Sequence, residues 1–152
     1  MKSSLFPDVN VWLALTHSRH IHHGIAADWF LSLDNEAIFF CRFTQLGLLR
    51  LLTNRQVMGA EVMSQRRSWR AYRRWFEDER VEFHREPESA EFERLFEEYS
   101  SRSHPSPKLW ADAYLAAFAR VAGFRLVTFD RGFVPIPGLT IELLPGSAAG
   151  GR

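Results

Sequence analysis

The sequence is poor in cysteine and in long apolar stretches, and each absence excludes a class of protein. Cys41 is the single cysteine among 152 residues, which excludes an intramolecular disulfide and leaves nothing that requires an oxidising compartment. The short apolar run after Met1 soon reaches Asp8, so it is neither a signal-peptide core nor a transmembrane span. We therefore expect a cytoplasmic protein.

Lysine is also scarce, which makes the positive charge almost entirely arginine. Only Lys2 and Lys108 are lysines among the 19 basic residues, and the formal net charge is +1. This balance excludes the strongly basic composition of a dedicated nucleic-acid-binding protein. The planar guanidinium of arginine nevertheless suits phosphate and carboxylate recognition. A genome-wide bias in base composition produces the same preference, so both explanations stay open.

The alternation of short apolar segments with amphipathic ones predicts a three-layer α/β/α domain with a central, mostly parallel sheet. The length and the 46% of apolar residues suffice for one domain, which we place at residues 1–145, followed by a disordered tail at 146–152. The predicted strands are 5–7, 37–40, 81–84, 125–129 and 139–143. The predicted helices are 11–15, 24–33, 45–52 with Thr44 as cap, 59–79, 92–99 and 108–122 with Ser106 and Pro107 as cap and first position.

Two aspartates follow predicted strands directly. Asp8 comes after the first strand and Asp130 after the strand that ends at Phe129. Ligands of parallel α/β folds bind beyond the carboxyl ends of the strands, so both carboxylates are candidates for a functional site. The alternative is that Asp8 only caps a helix and that Asp130 only stabilises a turn.

Asp112 is the most informative residue because it interrupts an apolar helical face. Its neighbours on that face include Leu109, Leu115 and Ala119, and the sequence shows no arginine or lysine near it on the same stripe. Removing an unpaired carboxylate from water is unfavourable, so Asp112 needs a cation or several hydrogen-bond donors, unless it reaches solvent at the edge of the helix. Oxygen ligands that converge from three separate elements are what a hard divalent cation requires.

Four segments of the chain resemble, in order, the motifs of PIN-domain proteins, in particular those of the VapC toxins of bacterial toxin–antitoxin pairs. They are residues 8–13 (Asp-Val-Asn-Val-Trp-Leu), 44–52 (Thr-Gln-Leu-Gly-Leu-Leu-Arg-Leu-Leu), 110–117 (Trp-Ala-Asp-Ala-Tyr-Leu-Ala-Ala) and 127–133 (Val-Thr-Phe-Asp-Arg-Gly-Phe). The resemblance extends from about residue 5 to residue 143. Four ordered motifs are far more specific than any single one of them.

The resemblance implies a PIN fold and a Mg²⁺- or Mn²⁺-dependent endoribonuclease that hydrolyses RNA phosphodiester bonds and leaves 5′-phosphate and 3′-hydroxyl ends. In such a site a metal ion lowers the pKa of a water molecule and neutralises charge on the phosphate. Carried over by motif, Asp8, Asp112 and Asp130 are the metal ligands, while Asn10 and Thr128 hold a water molecule or a phosphate oxygen. The implied partners are an RNA substrate, a cognate antitoxin and a second copy of the chain.

Gln45 departs from the commoner pattern, because many PIN domains have glutamate in this motif. An amide oxygen can ligate a metal or orient a water molecule but adds no charge, so the number of metal ions stays open. A catalytically weak PIN-like module that binds RNA or protein is therefore an alternative. Aspartyl phosphoryl transfer at Asp8 is a weaker one, since Asn10 replaces the second aspartate of the haloacid-dehalogenase pattern.

Three further features carry weaker hypotheses. The histidines at positions 20, 22 and 23 could bind a transition metal, although histidines in such a loop are more often solvated. Arginines at 66, 70, 73 and 74 could follow an RNA backbone or form a solvated or antitoxin-binding face. We also predict that apolar residues of segments 11–15 and 29–33, or near Trp69 and Trp75, form a groove for an amphipathic antitoxin segment, although Trp69, Tyr72 and Trp75 are more typical of a core or an interface.

Overall fold

A single parallel sheet organises the part of the chain that the structure, a computed structural model, describes, which is residues 3–146. Its strands are β1 (Ser4–Pro7), β2 (Ala37–Phe40), β3 (Val81–Phe83), β4 (Arg125–Thr128) and β5 (Ile141–Leu143). They lie side by side in the order β3-β2-β1-β4-β5, and all four neighbouring pairs are parallel. The predicted parallel sheet is confirmed, with the strand ends shifted by at most two residues.

Seven α-helices connect the strands within these residues. They are α1 (Val9–Thr16), α2 (His23–Ser32), α3 (Arg42–Leu52), α4 (Arg55–Met58), α5 (Gln65–Arg74), α6 (Ala90–Ser100) and α7 (Leu109–Ala122). Helices α1, α2, α3 and α5 pack against one face of the sheet, and α6 and α7 pack against the other. The predicted three-layer architecture is confirmed.

The start of α3 differs from the prediction, in which Thr44 caps the helix. Cys41 is the N-cap residue, and Thr44 is the third residue of the helix. The hydroxyl of Thr44 accepts a hydrogen bond of 2.9 Å from the backbone N–H of Cys41. This is the reciprocal half of a capping box, and the helix begins three residues earlier than predicted, closer to the sheet.

The single long helix predicted over residues 59–79 is wrong. Helix α4 ends at Gly59, whose φ of +58° is strained for any residue with a Cβ atom, and 3-10 turns form at Gly59–Glu61 and Trp75–Glu77. Helix α5 begins only at Gln65, where the Ser64 hydroxyl accepts a hydrogen bond from the backbone N–H of Arg67. A serine cap and a left-handed glycine thus divide one amphipathic pattern into separate pieces.

The start of α7 was also predicted wrongly. Lys108 is its N-cap residue and makes no side-chain capping bond, while Leu109 donates its N–H to the carbonyl of Ser106 in a preceding turn. The helix ends as predicted at Gly123, which has a φ of +77°. The shift of one residue leaves Asp112 in the first turn of α7.

Alternate residues of each strand enter two separate cores. Leu5 and Val127 face the core shared with α1, α2, α3 and α5, whereas Phe6 and Leu126 face the core shared with α6 and α7. Stacked aromatic rings fill both cores, and the ring centroids of Phe6 and Phe118 lie 4.8 Å apart. Such pairs contribute roughly 0.5–1.5 kcal/mol beyond their buried area. The sheet is therefore held rigidly from both sides.

Because its strands are parallel, the rigid sheet places all their carboxyl ends at one edge, and the polar residues that follow β1 and β4 lie there. No helix within residues 3–146 is long and apolar enough to cross a membrane. The tail predicted at 146–152 lies, apart from Gly146, outside the described residues.

Candidate active site

Asp8 is a buried aspartate at the carboxyl edge of the sheet. It is the N-cap residue of α1, and one of its carboxylate oxygens accepts a hydrogen bond of 3.0 Å from the backbone N–H of Val11. Its side chain is almost enclosed, with the whole residue 7% exposed. Burial raises the pKa of Asp8 from 3.8 to about 6, against the opposing hydrogen bonds of Thr128 and Val11. The capping role proposed as the alternative is therefore real, but it does not account for the burial.

Thr128 joins two of the predicted site residues through one hydroxyl group. It donates a hydrogen bond of 2.6 Å to the second carboxylate oxygen of Asp8 and accepts one of 2.9 Å from the backbone N–H of Asp130. Thr128 is fully buried at the carboxyl end of β4. It therefore ties the end of β1 to the end of β4 and orients the Asp8 carboxylate.

Asp130 lies beyond β4, where it caps the 3-10 turn Arg131–Phe133. Its carboxylate accepts a hydrogen bond of 2.8 Å from the backbone N–H of Gly132, and the residue is half-buried. A Cβ atom at position 132 would approach this carboxylate to 3.1 Å, so the glycine leaves room for the oxygen. The turn thus holds Asp130 through one of its oxygens.

Asp112 is half-buried in the first turn of α7. Burial raises its pKa, and the negative charge of Asp130 raises it further. Lys108, one turn earlier, opposes this shift, which corrects the prediction that no basic residue lies near Asp112 on its helical face. Lys108 lies four residues before Asp112, and this spacing was the signal that the sequence offered. The exposed Lys108 nevertheless lies just before the helix begins.

The three aspartates influence one another's charge without forming a closed cluster. The charges of Asp130 and Asp112 both raise the pKa of Asp8, and no cationic side chain contributes to lowering it. Across residues 3–146, however, no group of three or more histidine, cysteine, aspartate or glutamate side chains is arranged closely enough to hold a metal ion. Lys108 offsets part of the effect at Asp112 but none at Asp8, and the oxygen donors of this edge are of the kind that Mg²⁺ and Mn²⁺ prefer.

Gln45 and Asn10 occupy different surroundings from the aspartates. Gln45 is buried in α3, where its side-chain oxygen accepts a hydrogen bond of 2.6 Å from the guanidinium of Arg42. Burial raises the pKa of the neighbouring Tyr72 phenol, and a hydrogen bond with Gln45 and the charge of Arg42 oppose that rise. Asn10 is exposed in the first turn of α1. Arg42 was not singled out from the sequence, although it lies three residues before Gln45 on the same helix.

The histidine loop shows contacts other than metal ligation. His20 accepts a hydrogen bond from the backbone N–H of His22, and the ring of His23 donates one of 2.7 Å to the carbonyl of Ala14. The ring of His22 stacks on Phe129 at a centroid distance of 4.7 Å. These histidines are not part of any three-ligand metal group among the described residues.

The apolar groove predicted for a partner is wrong for the first helix. Residues 11–15 are all buried in the core under the sheet, and Trp29 is also buried. Leu31 and Trp69 are exposed, at 79% and 40%. The amphipathic pattern could not distinguish these cases because α1 is apolar on every side and sits between the sheet and other helices.

Comparison with known proteins settles the family. Residues 5–139 match the family model of the PIN domain. The chain belongs to the PIN-domain family. It is 41% identical over 145 residues to the ribonuclease VapC41 of Mycobacterium tuberculosis, which covers 92% of this chain and 98% of that protein. The resemblance inferred from the four motifs is confirmed.

Solved structures show the same PIN fold. The crystal structure of Mycobacterium tuberculosis VapC20, a toxin that cleaves the sarcin-ricin loop, matches with a TM-score of 0.67 at 21% identity over 93% of this chain and 100% of that one. VapBC2 of Rickettsia felis, bound to a promoter DNA fragment, matches with a TM-score of 0.64 at 14% identity over 92% and 98%. At these identities the likeness shows the fold alone.

Proposed function

We propose that this PIN domain is a Mg²⁺- or Mn²⁺-dependent endoribonuclease. The observation that carries the proposal is the placement of Asp8, Asp112 and Asp130 toward one edge of the sheet, where burial raises the pKa values of Asp8 and Asp112 and the charge of Asp130 raises both further. A divalent cation bound by these carboxylates would favour their charged forms and offset this cost. The 41% identity to a protein named a ribonuclease supports the same reaction class.

The carboxylates of Asp8, Asp112 and Asp130 would hold the metal ion. A bound divalent cation supplies a water molecule of lowered pKa and neutralises charge on the scissile phosphate. Thr128 keeps the Asp8 carboxylate oriented by donating to one oxygen, and Val11 fixes the other oxygen through its backbone N–H. The exposed Asn10, two residues after Asp8, would contact the substrate phosphate or a water molecule. Because water would be the nucleophile, the proposed hydrolysis needs no cysteine or serine nucleophile.

Cleavage of a structured RNA mixture in the presence of Mn²⁺, compared with EDTA, tests the proposal. We expect cleavage with Mn²⁺, none with EDTA, and 5′-phosphate ends in the products. Mn²⁺ should also raise the melting temperature of the protein in the absence of RNA. A protein that melts identically with Mn²⁺ and EDTA and leaves all RNA intact would contradict the proposal.

A catalytically weak binding module is the second candidate, and a specific observation favours it. No preassembled three-ligand group exists among residues 3–146, and Gln45 is engaged by Arg42. This module would bind RNA equally well with Mn²⁺ or EDTA and would not cleave it. The experiment above therefore separates the two candidates.

We further propose that the chain is the toxin of a toxin–antitoxin pair and forms a homodimer in the cytoplasm. The fold neighbours include toxin–antitoxin assemblies of Rickettsia felis and Salmonella typhimurium, which supports an antitoxin partner. Expression of the chain should arrest growth, and co-expression with the product of an adjacent small gene should relieve the arrest and yield a complex. Light scattering of the purified chain would give its oligomeric state.

A further inference from the structure

Helix α5 carries a dense positive charge that the proposed metal site does not use. Five of its ten residues are arginines, and none is acidic. All five are exposed, and none forms an ion pair within the described part of the chain. The buried side of the helix, Ser68 and Tyr72, contains no arginine. The charge therefore lies entirely on the solvent side of the helix.

Arg73 and Arg74 lie in the last turn of α5, where the helix dipole favours cations, but the rest of the charge is less favourably placed. Arg66 and Arg67 lie in the first turn, where the helix dipole favours acidic side chains and opposes cations. Like charges spaced three and four residues apart add further repulsion. A helix selected only for stability would carry acidic residues there, as α6 does with Glu91 and Glu93. The arrangement indicates an anionic partner that repays the repulsion when it binds.

Three of these arginines form a row. Arg66, Arg70 and Arg73 recur at spacings of four and three residues, so they lie along one ridge of α5, roughly 10 Å long. We call this row the arginine stripe. The exposed ring of Trp69 lies within it, and the guanidinium of Arg73 sits over that ring at 5.2 Å from the centroid. An aromatic ring beside a row of guanidinium groups is a common way of binding single-stranded nucleic acid.

Helix α5 also connects the arginine stripe to the carboxyl edge of the sheet. Tyr72, the residue before Arg73, points to Gln45, which accepts the hydrogen bond of Arg42 at the start of α3. Arg42 is exposed and lies over the ring of Phe83 at 5.0 Å. Helix α3 follows β2, so its first turn lies at the carboxyl edge, where Asp8 and Asp130 also lie. Tyr72 and Gln45 thus connect α5 to the first turn of α3, where Arg42 adds an exposed positive charge at the edge that carries the candidate site.

We propose that the arginine stripe, together with Arg42, binds the phosphate backbone of the RNA chain outside the cleaved bond. The inference rests on the proposed function, because the substrate of that reaction is a polyanion longer than the site. The planar guanidinium groups bind phosphate oxygens in pairs without reading the base sequence. The stripe accordingly contributes affinity and orientation, and base preference comes from other parts of the surface.

The test compares two triple variants with the same change of charge. The stripe variant carries Arg66→Gln, Arg70→Gln and Arg73→Gln, and the control carries Arg19→Gln, Arg102→Gln and Arg125→Gln, all exposed arginines outside α5. Binding is measured in EDTA, so that cleavage plays no part, with two fluorescein-labelled single-stranded RNA oligonucleotides of equal length and different sequence. Circular dichroism and melting curves establish that each variant is folded.

We expect the stripe variant to bind both oligonucleotides at least about tenfold more weakly at 0.1 M salt, with the slope of log affinity against log salt reduced by about two. The control variant should change the affinity and the salt slope only as far as the loss of three positive charges from the whole protein accounts for. Equal affinities and slopes for the two variants would overturn the proposal. Displacement of the RNA by poly-glutamate at the same charge concentration would also overturn it, in favour of an acidic protein partner.

Cleavage assays with Mn²⁺ separate this proposal from the proposed function. If both hold, the stripe variant cleaves with a raised KM and an unchanged kcat. Normal cleavage and normal binding by the stripe variant would refute the stripe and leave the ribonuclease intact. RNA binding that depends on the stripe, together with no cleavage by the wild-type protein, would refute the ribonuclease and leave the stripe intact.

Discussion

The carboxyl edge of the sheet has two sides of opposite electrostatic character. On the acidic side, burial raises the pKa values of Asp8 and Asp112, the charge of Asp130 raises both further, and Lys108 opposes the shift of Asp112. On the arginine side, Gln45 is neutral and accepts a hydrogen bond from Arg42, and α5 adds five arginines. Helix α1, which Asp8 caps, packs on the same face of the sheet as α3 and α5, whereas Asp112 belongs to α7 on the other face.

This difference explains why Gln45 departs from the acidic pattern. Its side-chain oxygen is already occupied by the guanidinium of Arg42 at 2.6 Å. A neutral amide there lets Arg42 keep most of its positive charge available to a substrate. Opposite charges on the two sides would grip a phosphodiester chain while a cation is held at the aspartates. Four predictions test this division, and they begin with the largest effect.

Asp112→Asn should lower RNA cleavage by about a thousandfold and leave the fold intact, because it removes a metal ligand together with a source of repulsion. Asp28→Asn, an exposed aspartate in α2, is the matched control and should keep full activity. Asp8→Asn and Asp130→Asn should also lose activity, and double variants should be no worse than single ones, since the three groups act as a unit. Equal activity of Asp112→Asn and wild type would remove Asp112 from the site.

Asp8→Asn should stabilise the metal-free protein by roughly 3 kcal/mol at pH 7, because a buried carboxylate whose pKa is about 6 instead of 3.8 opposes folding when it is charged. The folded state binds the extra proton between these values. The penalty is therefore full above pH 6, decreases as the pH falls, and is absent below about pH 4. Wild type and Asp8→Asn should converge in acid, which urea unfolding at several pH values would measure. A constant difference across this range would contradict the pKa shift.

Thr128→Val should reduce cleavage by about tenfold, since partners that orient a ligand typically contribute that much. The change removes the hydrogen bond that lowers the pKa of Asp8, so the acid limb of the pH–rate profile should move to higher pH. Thr128→Ser keeps the hydroxyl and should retain both the rate and the profile. A profile that stays in place in Thr128→Val would show that Thr128 only supports the fold.

Gln45→Glu should change the affinity for Mn²⁺ by less than about threefold, because the new carboxylate would pair first with Arg42. A tenfold gain in affinity, roughly 1.4 kcal/mol, would instead place this side chain among the metal ligands. Calorimetric titration of Mn²⁺ into both proteins measures the difference. The same titration in the Arg42→Gln background shows whether Arg42 is the reason.

Much of the fold could be predicted because its signals are local. The strands of 4 and 3 residues at Ala37–Phe40 and Val81–Phe83 are apolar segments between polar breaks, and the left-handed Gly123 marks the end of α7. The predictions failed at helix boundaries, where contacts with nearby residues decide where a helix begins or ends. Threonine is a common N-cap residue, so the sequence favours Thr44 as the cap of α3. In the structure the hydroxyl of Thr44 accepts a hydrogen bond from the N–H of Cys41, and Thr44 is the third residue of the helix. The segment 59–79 has one amphipathic period, yet Gly59 and Ser64 interrupt it.

The sequence by itself determined the family and the alternation of strands and helices, and it pointed to the three aspartates as candidates, because motif order and hydrophobic period are properties of the linear chain. Only the tertiary structure decided the environment of each side chain. It buried Asp8, linked it to Asp130 through one Thr128 hydroxyl, brought Lys108 near Asp112 and turned Gln45 toward Arg42. The contact between Asp8 and Thr128 joins residues 120 positions apart in the chain. The other contacts join near neighbours, but their energies depend on distance and burial, which arise only when the sheet assembles.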